Sequence, residues 1–186
     1  MGVVTRFFCL GAILFSFSAF GQSSPVYDRD KFGGWSDENG NCLNTRHELL
    51  KNLSTGPIHY SPNGCRVIRG RWLDPYTKQT FTDSSDLDID HLVPLHWAWQ
   101  RGASRWPNTK RRAFGNDRRN LFAVDDGTNR AKAAAGPLEW LPPNRDFRCQ
   151  YVTRFWRIVL IYELRLSPYE HLAMTKQRKT LCEMPQ

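Results

Sequence analysis

The amino-acid sequence reads as a single α+β domain stapled by disulfides, and three features carry that reading. The stretch DLDIDH (residues 86–91) alternates acid and hydrophobe with the period of a strand. Phe147, Tyr151, Phe155, Ile158 and Tyr162 recur at the spacing of one helix face. Cys42, Cys65, Cys149 and Cys182 form an even set in a chain that carries an export signature.

That signature stands at the amino terminus. Arg6 precedes an uncharged run from residue 7 to 20, too short to span a bilayer, and Ala19, Phe20 and Gly21 fit a cleavage position before Gln22. A signal peptide over residues 1–21 and one domain over 22–186 are expected, hence a secreted protein, extracellular or periplasmic. Cys9 lies ahead of most of the apolar run, which argues against a lipoprotein. No later apolar run is long enough to cross a membrane.

The elements follow in order. Residues 27–42 are rich in Gly, Asp and Asn and read as loop. Thr45 to Glu48 spell T-x-x-E ahead of Leu49, Leu50 and Leu53, predicting a short helix capped by Thr45. Asp37, Asn39, Asn41 and Glu48 fall at calcium-loop spacing, but Cys42 stands where that loop needs glycine. Residues 66–73 and 79–82 predict a hairpin around the turn Asp74-Pro75-Tyr76-Thr77, and the acidic strand comes next. Short helices are expected over 96–100 and 109–114, the second closed by Gly115 and Asn116. Residues 121–124 read as a strand, with Thr128 capping a helix that starts at Asn129. Trp140, within GPLEWLPP, is expected to seal the core, and the longest helix to run over 146–165.

Of the three ways to pair four cysteines, Cys42 with Cys65 and Cys149 with Cys182 is the expected one, because each pair brackets a local segment. A zinc site would want a C-x-x-C pair, which the chain lacks.

The whole chain has 26 Lys and Arg against 18 Asp and Glu. The excess is local: residues 101–132 hold nine basic side chains, seven of them Arg, and three acids. Such a field suits a polyanion, and Arg forks to phosphate better than Lys. Arg111, Arg112, Arg118 and Arg119 are the expected contacts to a phosphate backbone.

DIDHLVPL (88–95) and NLFAVDDGTNRAK (120–132) together spell strand, loop, strand, helix. This pattern resembles the HNH nucleases of the ββα-metal (His-Me finger) class, in the HNN variant whose last His is Asn. The nine-residue step from Asn120 to Asn129, with R-x-K after it, is similar to the HNH domain of RNA-guided CRISPR nucleases. Trp99 and Gly102 (W-x-x-G), AFGND and GPLEWLPP make residues 27–182 resemble small exported HNH endonucleases of the DUF1524 group, with the core motif at about 86–135.

The resemblance implies a metal-dependent endonuclease. His91, neutral at its ordinary pKa, would be the base that takes a proton from water. Asp90 and Asn129 would hold one cation through oxygen, Mg²⁺ first and Mn²⁺ second, because neither ligand is soft. Asn120 would hydrogen-bond backbone in the loop after His91. Arg130 and Lys132 would grip the substrate phosphate, and Asp88 would support the site from Asp90's face. DNA is the expected substrate and RNA the second, with little sequence preference, acted on by a monomer. The rival expectation is an exported nucleic-acid-binding protein that does not cleave.

Overall fold

The computed structural model describes residues 1–2 and 25–183, so the expected signal peptide and its cleavage point lie almost wholly outside the described residues. The helices are α1 (Thr45–Leu53), α2 (Leu95–Gln100), α3 (Asn108–Asn116), α4 (Asp126–Lys132), α5 (Arg148–Ile161) and α6 (Pro168–Glu183). The strands are β1 (His59–Tyr60), β2 (Val67–Leu73), β3 (Thr80–Asp83), β4 (Leu87–His91) and β5 (Leu121–Asp125). β1, β2 and β3 form an antiparallel meander, and β4 pairs with β5 antiparallel in a separate two-stranded sheet.

That small sheet is the spine of the molecule. Its register runs from Leu87 opposite Asp125 to His91 opposite Leu121. Alternation sends Leu87 and Ile89 into a cluster with Leu49, Leu50, Val67, Trp72, Leu121 and Ala123. Phe122 and Val124, on the opposite face, join a larger cluster with Tyr76, Phe147, Tyr151 and Phe155. Asp88 and Asp90 point to that second side, where α4 packs on both strands. A two-stranded sheet is marginal alone. Here both faces are covered by apolar side chains, which removes their surface from water at about 25 cal/mol per Å².

Several boundaries differ from the sequence expectation. Asn44, not Thr45, caps α1, its side chain accepting from the His47 amide at 3.3 Å. Glu48 instead accepts from the Asn41 side chain at 2.8 Å, and Asp37 accepts the Asn41 and Cys42 amides, so the calcium-like cluster is knit by its own turn. α4 begins at Asp126 rather than Asn129. Asp125 caps it, accepting from the Thr128 amide at 2.6 Å and the Thr128 hydroxyl at 2.7 Å. Trp140 is half-buried and packs edge-on against Tyr76 and Tyr151.

The helix expected over 146–165 stops at Ile161, because the Leu164 amide turns back to the Val159 carbonyl (3.0 Å) with Glu163 in the left-handed region at φ 55°. Glycine normally marks such a stop, and its absence hid this one. The longest helix among the described residues is α6, which begins with a capping box. The Glu170 amide donates to Ser167 Oγ (3.2 Å) and the Ser167 amide to Glu170 Oε2 (2.8 Å), with Pro168 in the first turn. Ser167-Pro168-Tyr169-Glu170 was a readable signal. Disulfides join Cys42 to Cys65 and Cys149 to Cys182, the latter fixing α6 to α5.

Candidate active site around His91

His91 ends β4 with 7 % of its surface exposed. Its Nε2 lies 2.8 Å from the Gly115 carbonyl oxygen. A carbonyl can only accept, so Nε2 carries the proton and Nδ1 is left as the basic nitrogen. The ring stacks on Trp35 at 5.2 Å and 5°. Burial drives the imidazole pKa down to about 4, against a smaller upward pull from the Gly115 hydrogen bond, so the ring is neutral at pH 7. Gly115 itself is held close to the preceding loop: a Cβ there would stand 3.3 Å from the Phe32 carbonyl oxygen.

Asn120 is fully buried where the chain enters β5. Its Oδ1 accepts from the Val93 amide at 2.8 Å, and its Nδ2 donates to the Val93 carbonyl at 3.2 Å. The Leu92 amide donates to the Asn120 carbonyl at 2.8 Å. One side chain thus prolongs the β4–β5 pairing beyond His91, satisfying a buried amide at the same time.

Asp90 leaves the strand on the opposite face and is 5 % exposed. Its Oδ2 accepts from the Tyr76 hydroxyl at 2.6 Å, and its Oδ1 accepts from Lys132 Nζ at 2.9 Å. The same ammonium donates to the His91 carbonyl at 3.0 Å. Burial pushes the Asp90 carboxyl upward, while Lys132 and the two hydrogen bonds pull it down. Beside it, Asn129 Nδ2 donates to Asp88 Oδ2 at 3.0 Å. Asp90, His91 and Asn129 line one cleft of about 320 Å³, together with Tyr27, Arg29, Pro94 and His96.

The expected phosphate contacts divide. Lys132 has no exposed surface and serves Asp90, so the expectation that it grips substrate is corrected. Arg111 is also corrected: it is buried, and donates to the carbonyls of Lys31, Ala103, Ser104 and Trp106 and to the Asn108 side chain. Arg112, Arg118, Arg119 and Arg130 are exposed. Of these, Arg119 pairs with Asp117 (2.7 Å), Arg130 with Asp126 (2.7 Å) and Arg118 more loosely with Glu48 (3.9 Å). Asp86 is exposed in a 3-10 turn, and His96 faces the cleft stacked on Tyr27.

Four contributors escaped the sequence reading. Trp35 backs the imidazole, Tyr76 caps Asp90, Arg46 of α1 holds the entry to β4 by donating to the Ser84 and Leu87 carbonyls, and Arg29 borders the cleft. Trp35 and Arg29 sit in the glycine-rich stretch that reads as loop, and nothing local ties either to a site sixty residues away. Tyr76 carried a usable signal, as a bulky aromatic placed in the tight turn that follows Asp74.

Residues 45–176 match the family model of the GmrSD restriction endonucleases, C-terminal domain. A protein of Arthroderma benhamiae, named an uncharacterized secreted protein, is 38% identical over 156 residues, covering 83% of this chain and 75% of its own length. No solved structure matches. Among the described residues no helix is long and apolar enough to cross a membrane. Two disulfides and a secreted relative place this protein outside the reducing interior of the cell. With well over half of its length matched, the chain belongs to the family of GmrSD restriction endonuclease C-terminal domains.

Proposed function

We propose that this protein is a secreted, HNH-type, metal-dependent endonuclease that hydrolyses phosphodiester bonds in DNA, and secondarily RNA, with little sequence preference. The observation that carries the reading is His91: a neutral imidazole, Nε2 fixed by a carbonyl and Nδ1 free, on the cleft that Asp90 and Asn129 also line. The order strand, strand, helix of β4, β5 and α4 supports the reading of a ββα-metal core.

The donor set suits a hard cation. Each Asp90 oxygen accepts one hydrogen bond and keeps a second lone pair, and Asn129 spends its amide nitrogen on Asp88, leaving its carbonyl oxygen unspent. Among the described residues no group of three His, Cys, Asp or Glu side chains forms a metal cage. Two protein oxygens, with water and phosphate oxygens completing the shell, fit Mg²⁺ or Mn²⁺. Such an ion supplies stabilisation of charge on the phosphate and the departing oxygen.

The chain's own residues do the rest. His91 Nδ1 accepts the proton of the attacking water as its oxygen bonds to phosphorus and the opposite P–O ester bond breaks, the departing oxygen being protonated from solvent. Asn120 fixes the backbone that follows His91, and Lys132 fixes the His91 carbonyl, so the imidazole is held before substrate arrives. Exposed Arg112, Arg118, Arg119 and Arg130 draw in the polyanion without reading bases.

One observation favours the rival reading, a nucleic-acid-binding protein without cleavage: Lys132 already neutralises Asp90. Purified protein mixed with supercoiled plasmid in Mg²⁺ and in EDTA separates the two. Nicking in Mg²⁺ alone, lost in His91→Ala, is the expected result. Retention of plasmid without nicking in either buffer overturns the proposal.

A further inference from the structure

With Lys132 and Arg111 buried and engaged elsewhere, the cleft beside His91 needs another cation to meet a phosphate. Arg29 is in that place. It borders the cleft shared by Asp90, His91 and Asn129, and also the cavity on the Trp35 side of the imidazole, so it stands beside both flanks of His91. The guanidinium is exposed and forms no ion pair among the described residues, whereas Arg119 and Arg130 each hold a carboxylate. It is near enough to His91 to disfavour the imidazolium.

The segment that bears it is well anchored. Phe32, three residues on, is buried against Trp99 and Phe114. Trp99 Nε1 donates to the Pro25 carbonyl at 2.7 Å. Tyr27 stacks on His96 at 4.5 Å and 20° and meets Trp99 edge-on at 5.9 Å, and burial raises its hydroxyl pKa while the nearby Arg29 charge pulls the other way. Of the two carboxylates adjacent to it, Asp28 caps the 3-10 turn Arg29–Phe32 through the Asp30 amide at 3.0 Å, and Asp30 is exposed with no ion pair to Arg29 among the described residues. A backbone anchored in this way delivers the guanidinium to the cleft before an anion arrives.

We infer that Arg29 binds the phosphate under attack, that Tyr27 positions it, and that the segment ahead of the family-matched residues 45–176 thereby completes the active site. The inference rests on the phosphodiesterase reading above. The ligand is a phosphodiester with its non-bridging oxygens toward the guanidinium, which forks to two of them. As negative charge builds on those oxygens during attack, the contact strengthens, so Arg29 acts mainly on turnover.

The test uses the full processed chain with Mg²⁺ and two substrates, plasmid DNA and bis(p-nitrophenyl) phosphate, which has no extended backbone. Arg29→Ala is expected to lower kcat about 10²-fold on both, with Arg29→Lys intermediate and the melting temperature unchanged. Tyr27→Phe keeps the ring stack, removes the oxygen, and is expected to lower kcat with KM unchanged. If Arg29→Ala turns over both substrates at the parent rate while His91→Ala is inert, this inference fails and the nuclease reading stands. A loss confined to KM on DNA makes Arg29 a distant backbone contact, which also overturns it. A parent protein inert on both substrates overturns the nuclease reading, and this inference with it.

Discussion

Lys132→Met removes the cation from the most enclosed charge pair in the protein. The ammonium has no exposed surface and donates to Asp90 Oδ1 at 2.9 Å and to the His91 carbonyl at 3.0 Å. Methionine fills nearly the same volume, so little cavity forms, and the loss is electrostatic. Asp90, itself 5 % exposed, keeps only the Tyr76 hydroxyl. Breaking a buried pair by deleting one partner costs about 3–5 kcal/mol. For a domain of this size each kcal/mol moves the melting temperature by roughly 2–4 °C, so a fall on the order of 10 °C is expected. Urea denaturation followed by tryptophan fluorescence measures it, with the m-value unchanged if only stability moves. Salt at 0.5 M should alter the difference little, since the pair is shielded from mobile ions. The double variant Lys132→Met with Asp90→Leu should recover most of the loss, because no charge is then left without a partner. A single variant within about 1 kcal/mol of the parent, or a double variant no better than the single, refutes the reasoning.

Four further outcomes follow from the geometry. His91 titrates at about 4 folded and near its ordinary 6.5 unfolded. The unfolded chain therefore takes up a proton first as pH falls, and this site's contribution, up to about 3 kcal/mol, is present above pH 6.5 and lost on descent toward pH 4; denaturation of His91→Gln should lack that slope. Replacing Cys149 and Cys182 by Ser opens a 33-residue separation and should destabilise the fold by about 3–4 kcal/mol, read as a lower urea midpoint. Arg111→Ala should cost stability through five backbone and side-chain acceptors while leaving the salt dependence of DNA binding alone. Arg112→Ala should reduce that salt slope by about 1 with stability unchanged.

What the sequence made legible was local. β4 follows from alternation at Leu87 and Ile89, and β5 from an apolar run bounded by Asn120 and Asp125. Both disulfides follow from proximity along the chain. Asn120 hydrogen-bonds the Val93 backbone in the loop after His91. What stayed hidden was which charges would be enclosed. Lys132 sits in an R-x-K pair on a short helix, and only the twist of α4 across β4 sends one member inward to Asp90 and the other outward to Asp126. Arg111 looked like its neighbour Arg112, yet one helical step of about 100° decides between a nest of carbonyls and solvent. Trp35 and Arg29 reach His91 through tertiary packing alone.

The family-matched span, residues 45–176, ends inside both staples. Cys42 lies before its first residue and Cys182 beyond its last, while their partners Cys65 and Cys149 lie within. A fragment trimmed to those borders would carry two orphan thiols, no indole behind the imidazole, and a truncated last helix. Borders set by likeness therefore do not coincide with the unit that folds, and whoever expresses this domain should start well upstream of Thr45 and run past Cys182.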